Sequence, residues 1–234
     1  MTTIVCGSFA YDNILKFEGK FEDHLIDSEL NNVNVSFLCT DLRKEYGGCA
    51  GNIIYNLALI GADAIALGTL GNDAGPYIEW MKSNKIRTEY IKVIENSYTA
   101  QAYITTDNNA NQITTFHPGA MQYSNQIIIP NDGSISLGLI SPDGRDGMIM
   151  HTKQLIEMNV PYIFDPGQGM PMFNKDELDT LTKICFSAKG KNFTQNDLIQ
   201  NKSNQNFILL NGRYEGIDQR VIDYYEFQEI SVSD

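Results

Sequence analysis

Glu45 to Ala64 reads EYGGCAGNIIYNLALIGADA, and this stretch decides the fold. Its first part, Gly47-Gly48-Cys49-Ala50-Gly51-Asn52, is glycine-rich and opens a helical pattern. Ile53, Ile54, Leu57, Ala58 and Ile60 fall on one face of that helix, and Gly61 stops it. Apolar strands flank it on both sides. Thr3 to Cys6 is a short buried run ended by Gly7, and Ala64 to Leu70 is another. Strand, helix and strand in alternation are the units of a parallel, doubly wound sheet.

Further along, Pro76 suits the first turn of a helix that runs through Lys82. Ser97 to Thr106 and Gln112 to Phe116 are β-rich runs around Asp107-Asn108-Asn109-Ala110-Asn111, a hairpin signal. Leu137 to Ile140 predicts a strand, Met148 to Met158 a helix, Tyr162 to Phe164 a strand and Asp176 to Ile184 a helix. Residues 11–46 are mixed in character and predict irregular surface strands, a lid. Beyond Cys185 the text changes. Ser187 to Gln205 is polar with little periodicity; Phe207 to Leu210 is a strand leading into Asn211-Gly212-Arg213-Tyr214-Glu215-Gly216. The chain stops at Asp234 without an evident cap. The fold class expected is α/β: a doubly wound parallel sheet with a small β lid, then a short α/β fragment.

At 234 residues the chain can hold one large domain or two small ones. Its formal net charge of -12 repels phosphate backbones and anionic lipid, which argues against nucleic acid as a partner for the whole chain. No apolar run reaches membrane-spanning length, and the amino terminus lacks the basic start and long apolar core of a signal peptide, so a cytoplasmic protein is expected. Cys6, Cys39, Cys49 and Cys185 are scattered, and His24, His117 and His151 are dispersed. Reduced thiols are expected, and no metal site.

Three segments carry chemistry: Gly7-Ser8-Phe9-Ala10-Tyr11-Asp12, the Gly47–Asn52 stretch, and Gly68-Thr69-Leu70-Gly71-Asn72-Asp73-Ala74-Gly75. A carboxylate such as Asp12 accepts from two neighbouring hydroxyls, and a carboxamide such as Asn52 both donates and accepts. Paired glycines let a ligand approach the main chain. Each feature alone is ordinary turn chemistry. Together, all near strand ends, they point to a polyol site.

These residues resemble the ribokinase-like carbohydrate kinase family, with the adenosine kinases nearest. The likeness lies in GSFAYDNI, EYGGCAGNIIYNLALIGADA, GTLGNDAGPY, AQAYITTDNNANQITTFHPGAM and YIFDPGQGMPMF, and covers nearly all of residues 1–183. It implies that Asp12, Gly47, Gly48 and Asn52 hold ribose hydroxyls. It implies a lid, built from residues 11–46 and the hairpin at Asp107, that closes over a sugar or nucleoside, adenosine foremost. ATP and Mg are the cofactors it implies. The family's catalytic base comes from an Asp-Thr-x-Gly-x-Gly-Asp segment, and residues 165–234 contain none: Asp165-Pro166-Gly167-Gln168-Gly169 is followed by Met170, and Gly212 to Asp218 has the wrong spacing. Gly190-Lys191 is no Walker loop. Residues 1–184 are therefore expected to be the substrate-binding part of a truncated kinase, inactive alone. Its sheet edge near residue 184 is expected to stand exposed and to drive homodimerisation.

Residues 186–234 resemble bacterial tRNA guanine-N1 methyltransferases, through GRYEGIDQRV and EISVSD. This implies that Gly212, Tyr214, Glu215 and Gly216 line an S-adenosylmethionine site in a knotted fold. Asn211 stands where a cysteine is common, and the rest of the knot is absent. Residues 186–234 hold five Lys or Arg against seven Asp or Glu, no basic patch for tRNA. A division into 1–184 and 185–234 is expected, with methyltransferase fragment and non-catalytic recombined product as the alternatives to a kinase.

Overall fold

The computed structural model describes residues 2–25, 34–178, 182–194, 206–211 and 217–231. In chain order its strands and helices are β1 (Thr2–Cys6), β2 (Ala10–Phe17), β3 (Cys39–Gly47), α1 (Cys49–Leu59), β4 (Ala64–Gly71), α2 (Gly75–Ser83) and β5 (Arg87–Ile94). Then follow β6 (Ala100–Thr106), β7 (Gln112–His117), β8 (Ile135–Ile140), α3 (Arg145–Glu157), β9 (Tyr162–Phe164) and α4 (Lys175–Leu178). Last come β10 (Thr182–Asn192), β11 (Asn206–Asn211), α5 (Gln219–Tyr225) and β12 (Gln228–Ser231).

Eight strands form one parallel sheet in the order β12-β10-β11-β9-β8-β1-β4-β5. β1 sits inside it because its alternate side chains are claimed by both faces. Ile4 and Cys6 join one apolar cluster with Met148 and Leu155 of α3; Val5 joins another with Ile54 of α1 and Tyr77 and Met81 of α2. Strands buried on both faces read as continuous apolar runs, which is why β1 and β4 were legible. The second sheet, β3-β2-β6-β7, is the lid. At its hairpin Asp107 accepts from the backbone N–H groups of Phe21, Asn109 and Asn111.

Two expectations are corrected. The helix over Asp176–Ile184 is only Lys175–Leu178; Ile184 and Cys185 lie in β10, which continues to Asn192 through a stretch read as aperiodic. β10 is paired on both sides, with β11 and with β12, and this non-local pairing overrides a weak helical spacing. Nor does the large sheet stop near residue 184. β11 pairs along β9, and Cys185, Ile208, Leu210, Ile222 and Phe227 share one core with Ile4, Cys6 and Leu67. The edge expected to need a second copy is covered from within the chain. The edge strand β5 was not foreseen, since its Arg87, Glu89 and Lys92 hide the strand pattern.

Candidate functional site

From β1 the chain winds to β4 and β5 on one side, then to β8 and β9 on the other. The crevice beyond the carboxyl ends of β1 and β8 is thus the switch point where open α/β sheets bind ligands. Gly7-Ser8 and Ser141-Pro142-Asp143 meet there. The Ser8 N–H donates to the Pro142 carbonyl (3.1 Å), and the Ser141 N–H to that of Cys6 (2.8 Å).

Ser8 also ties down the start of α1. Its hydroxyl accepts from the Cys49 N–H (3.1 Å), and its carbonyl accepts from Ala50 (3.0 Å) and Gly51 (3.3 Å). Gly48 caps α1 at φ 87°, and a Cβ there would stand 2.7 Å from both the Ala10 nitrogen and the Phe9 Cα. Only glycine lets the two turns touch.

Asp12 on β2 pairs across to Glu45 on β3, and its carboxylate lies against Gly47: a Cβ at position 47 would be 2.6 Å from the Asp12 Cγ. The Gly47 carbonyl accepts a 2.6 Å hydrogen bond from the Tyr77 hydroxyl, which is buried. Burial first, and then the Asp12 charge, push that hydroxyl far above the usual tyrosine range. It remains a donor. Asn52 is exposed in the first turn of α1; its N–H donates to the Gly48 carbonyl (2.9 Å), and its carbonyl accepts from the Asn56 amide (2.8 Å). Asp12, Gly47 and Gly48 thus sit together, with Asn52 one turn along the helix that Gly48 opens.

The carboxyl end of β4 braces the lid. The Asp73 carboxylate accepts from the Thr99 N–H (2.8 Å), and its carbonyl accepts from the Tyr11 hydroxyl (2.9 Å). Burial, then the Asp73 charge, push Tyr11 up to about 12. Thr99 returns a bond from the Gly71 N–H to its hydroxyl (2.9 Å).

Sequence reasoning quoted Ser8 and Tyr77 only within their segments and gave them no role, and it missed Asp143. Asp143 is 4% exposed, and neither carboxylate oxygen has a well-formed hydrogen bond among the described residues. Burial pushes it up to about 7, offset in part by the nearby Gly144 N–H and Ser124 hydroxyl. A Ser-Pro-Asp turn gives no such signal.

Residues 17–167 match the pfkB family of carbohydrate kinases. The chain belongs to the pfkB carbohydrate kinase family. Its large parallel sheet agrees with that of solved relatives. Burkholderia thailandensis nucleoside kinase in complex with inosine is 46% identical with a TM-score of 0.67, over 78% of this chain and 60% of that one. The nucleoside kinase of Methanocaldococcus jannaschii is 29% identical over 147 residues, 62% of this chain and 48% of the relative. This pfkB-family chain spans about half the length of that curated relative. Residues 143–234 match tRNA (guanine-1)-methyltransferase, and the enzyme of Anaplasma phagocytophilum is 48% identical over 54 residues, 23% of each chain. The two matches overlap at 143–167.

The segment expected to carry the family's catalytic base is built differently among the described residues. Where the base is expected after Gly169, Met170 is 5% exposed and packs in the core. The Asp165 carboxylate accepts from the Gly167 N–H (3.0 Å), and Gly167 turns at φ 48° against Pro142. The segment closes a turn. Gly212, Tyr214, Glu215 and Gly216, expected to line an S-adenosylmethionine site, lie outside the described residues. Among the described residues, no helix is long and apolar enough to cross a membrane.

Proposed function

We propose that this chain is a nucleoside-binding member of the pfkB family that does not transfer phosphate by itself. The observation that carries the reading is the packing of the Asp12 carboxylate against Gly47, beside the glycine that opens α1. A carboxylate at a glycine-lined strand end can accept from two ribose hydroxyls.

The lid register supports a nucleoside over a free sugar. Glu45, Asp12, Ala102 and Phe116 form one row across β3, β2, β6 and β7. Side chains in one row share a face, so Phe116 stands on the same face as Asp12, two strands away. At strand spacing that is about 10 Å, the span from a ribose to the far side of its base. Phe116 is 49% exposed and Ile104 lies in the next row, so the face offers an aromatic and an aliphatic platform for a heterocycle. Adenosine is the first ligand to try. The lack of an Asp-Thr-x-Gly-x-Gly-Asp segment in residues 165–234 supports inactivity of this chain alone, because phosphoryl transfer to a hydroxyl needs a proton acceptor beside it.

Calorimetric titration of the whole chain with adenosine, inosine, ribose and S-adenosylmethionine tests the reading, alongside a phosphotransfer assay with Mg-ATP. Saturable nucleoside binding, weaker ribose binding and no transfer are expected. Asp12→Asn should weaken nucleoside binding by about 1.5–3 kcal/mol. Phosphorylation of any nucleoside would overturn the inactivity, and absence of nucleoside binding would remove the site. Binding of S-adenosylmethionine alone would favour the methyltransferase reading.

A further inference from the structure

Met148, His151 and Leu155 turn one stripe of α3 onto the sheet, and all three are buried. Beside it runs a second stripe, Ile149, Lys153 and Ile156, at helical spacing. On a helix flank that faces water such a stripe is ordinarily polar, yet Ile156 is 55% exposed. The neighbour beside it is short. α3 has 13 residues and runs about 20 Å, whereas α4, Lys175–Leu178, is one turn of about 6 Å.

The uncovered length is a groove of about 360 Å³ between α3, β9 and α4. Its floor is aromatic. Phe164 of β9 and Phe173 are buried there and meet edge to face, with ring centroids 5.2 Å apart. Two charged residues stand on the walls. Glu177 is already engaged: it accepts from the Arg145 guanidinium (2.7 Å) and from the Asn174 N–H (2.9 Å). Lys153 is exposed and has no ion pair among the described residues. The groove is thus an apolar slot with one uncompensated positive charge at its rim, on a chain whose net charge is -12.

We propose that this groove binds an aromatic monocarboxylate, its rings on Phe164 and Phe173 and its carboxylate on the Lys153 ammonium. Size argues against a helix of another protein. One helical turn, about 5.4 Å long and about 10 Å across, displaces about 400 Å³, more than the whole groove holds. At about 30 Å³ for each water-sized unit, the groove takes about a dozen non-hydrogen atoms, which two fused rings and a carboxylate supply. The aromatic floor favours flat rings over a flexible chain, through edge and offset contacts. Charge fixes the head group. A carboxylate gains a charge-assisted hydrogen bond from Lys153, whereas a cation meets repulsion there and finds Glu177 taken. α3 packs on the face of β1 that bears Ile4 and Cys6, and α1 on the face that bears Val5. The groove therefore lies across the main sheet from α1, and it stands or falls separately from the nucleoside site.

Titration of the full chain with naphthoate, followed by calorimetry and by methyl NMR, is the test. Naphthylmethanol and naphthylmethylammonium serve as the neutral and cationic probes. Naphthoate should saturate with a Kd below about 1 mM, and the alcohol should bind at least about tenfold more weakly, with the cation weaker still. Methyl signals of Ile149 and Ile156 should shift, while those of Val5 and Ile54, across the sheet, should not. Lys153→Glu should raise the Kd at least about tenfold, and Lys153→Arg should keep it within about threefold. Lys153 is exposed, so both variants should fold as the wild type does. Excess adenosine should leave the naphthoate affinity unchanged. No saturation, equal affinity for the alcohol, indifference to Lys153→Glu, competition by adenosine, or shifts confined to the lid methyls of Ile14 and Ile104 would overturn the proposal.

Discussion

The Tyr77 hydroxyl donates to the Gly47 carbonyl at 2.6 Å, so a helix packed on the main sheet holds the lid strand that faces Asp12. Both partners are buried. Tyr77→Phe keeps the ring, with its edge contacts to Phe9 and Trp80, and removes the hydroxyl that donates to the buried carbonyl. The expected cost is about 1–3 kcal/mol of unfolding free energy, measured by urea denaturation. A variant as stable as the wild type would mean that the bond has no net value.

Gly48 and Gly75 make a paired test of backbone demands. Gly48→Ala forces φ 87° on an alanine and drives its Cβ into the Ser8–Ala10 turn, so a loss of more than about 2 kcal/mol is expected. At Gly75, the first residue of α2, a Cβ meets nothing within 4 Å. Gly75→Ala should be neutral or stabilising by up to about 1 kcal/mol. Equal melting temperatures for the two variants would contradict the packing of Gly48 on that turn.

The central elements were legible because their signals are local. α1 shows its stripe between Gly48 and Gly61, and Pro76 marks the first turn of α2. Asp12, Gly47 and Gly48 could be singled out because their residue types already suit a polyol. Tyr77 and Asp143 could not be. Each matters through burial against segments remote in sequence: Tyr77 against Gly47, Asp143 beside Ser124 and Cys6. β10 was misread for the same reason, since nothing in Thr182–Asn192 announces that Phe207–Asn211 and Gln228–Ser231 flank it.

Asp143 predicts a pH dependence with a definite sign. Burial holds its folded-state value at about 7, above the ordinary 3.8, so the folded chain keeps a proton that the unfolded chain releases. The stabilisation this gives is complete below about pH 4 and declines as pH rises through about 7. Asp143→Asn should therefore lack that slope between about pH 4 and 7, and the wild type should lose stability relative to it by a few kcal/mol at most. Urea midpoints at a series of pH values check this. Parallel curves for the two proteins would show that the carboxylate is ionised in the folded chain.

The single tryptophan tests whether the methyltransferase-like strands and the kinase-like core unfold together. Trp80 lies in α2 and stacks on Tyr46 beside the lid, in a different apolar cluster from β11. Ile208 on β11 is fully buried in the cluster that also contains Ile4 and Cys6 of β1. Across the same junction the Tyr225 hydroxyl reaches the Phe173 carbonyl at 3.3 Å, and Lys175 pairs with Glu226 at 3.1 Å. Ile208→Ala should cost about 2–5 kcal/mol through the cavity it leaves. Because β1 carries side chains of both clusters, the chain is expected to unfold as one unit, and that loss must move the Trp80 fluorescence transition and the far-ultraviolet dichroism transition by the same amount. A Trp80 midpoint that stays in place while the dichroism splits into two steps would mean that β10 to β12 fold as a separate unit, docked on the kinase-like sheet without sharing its stability.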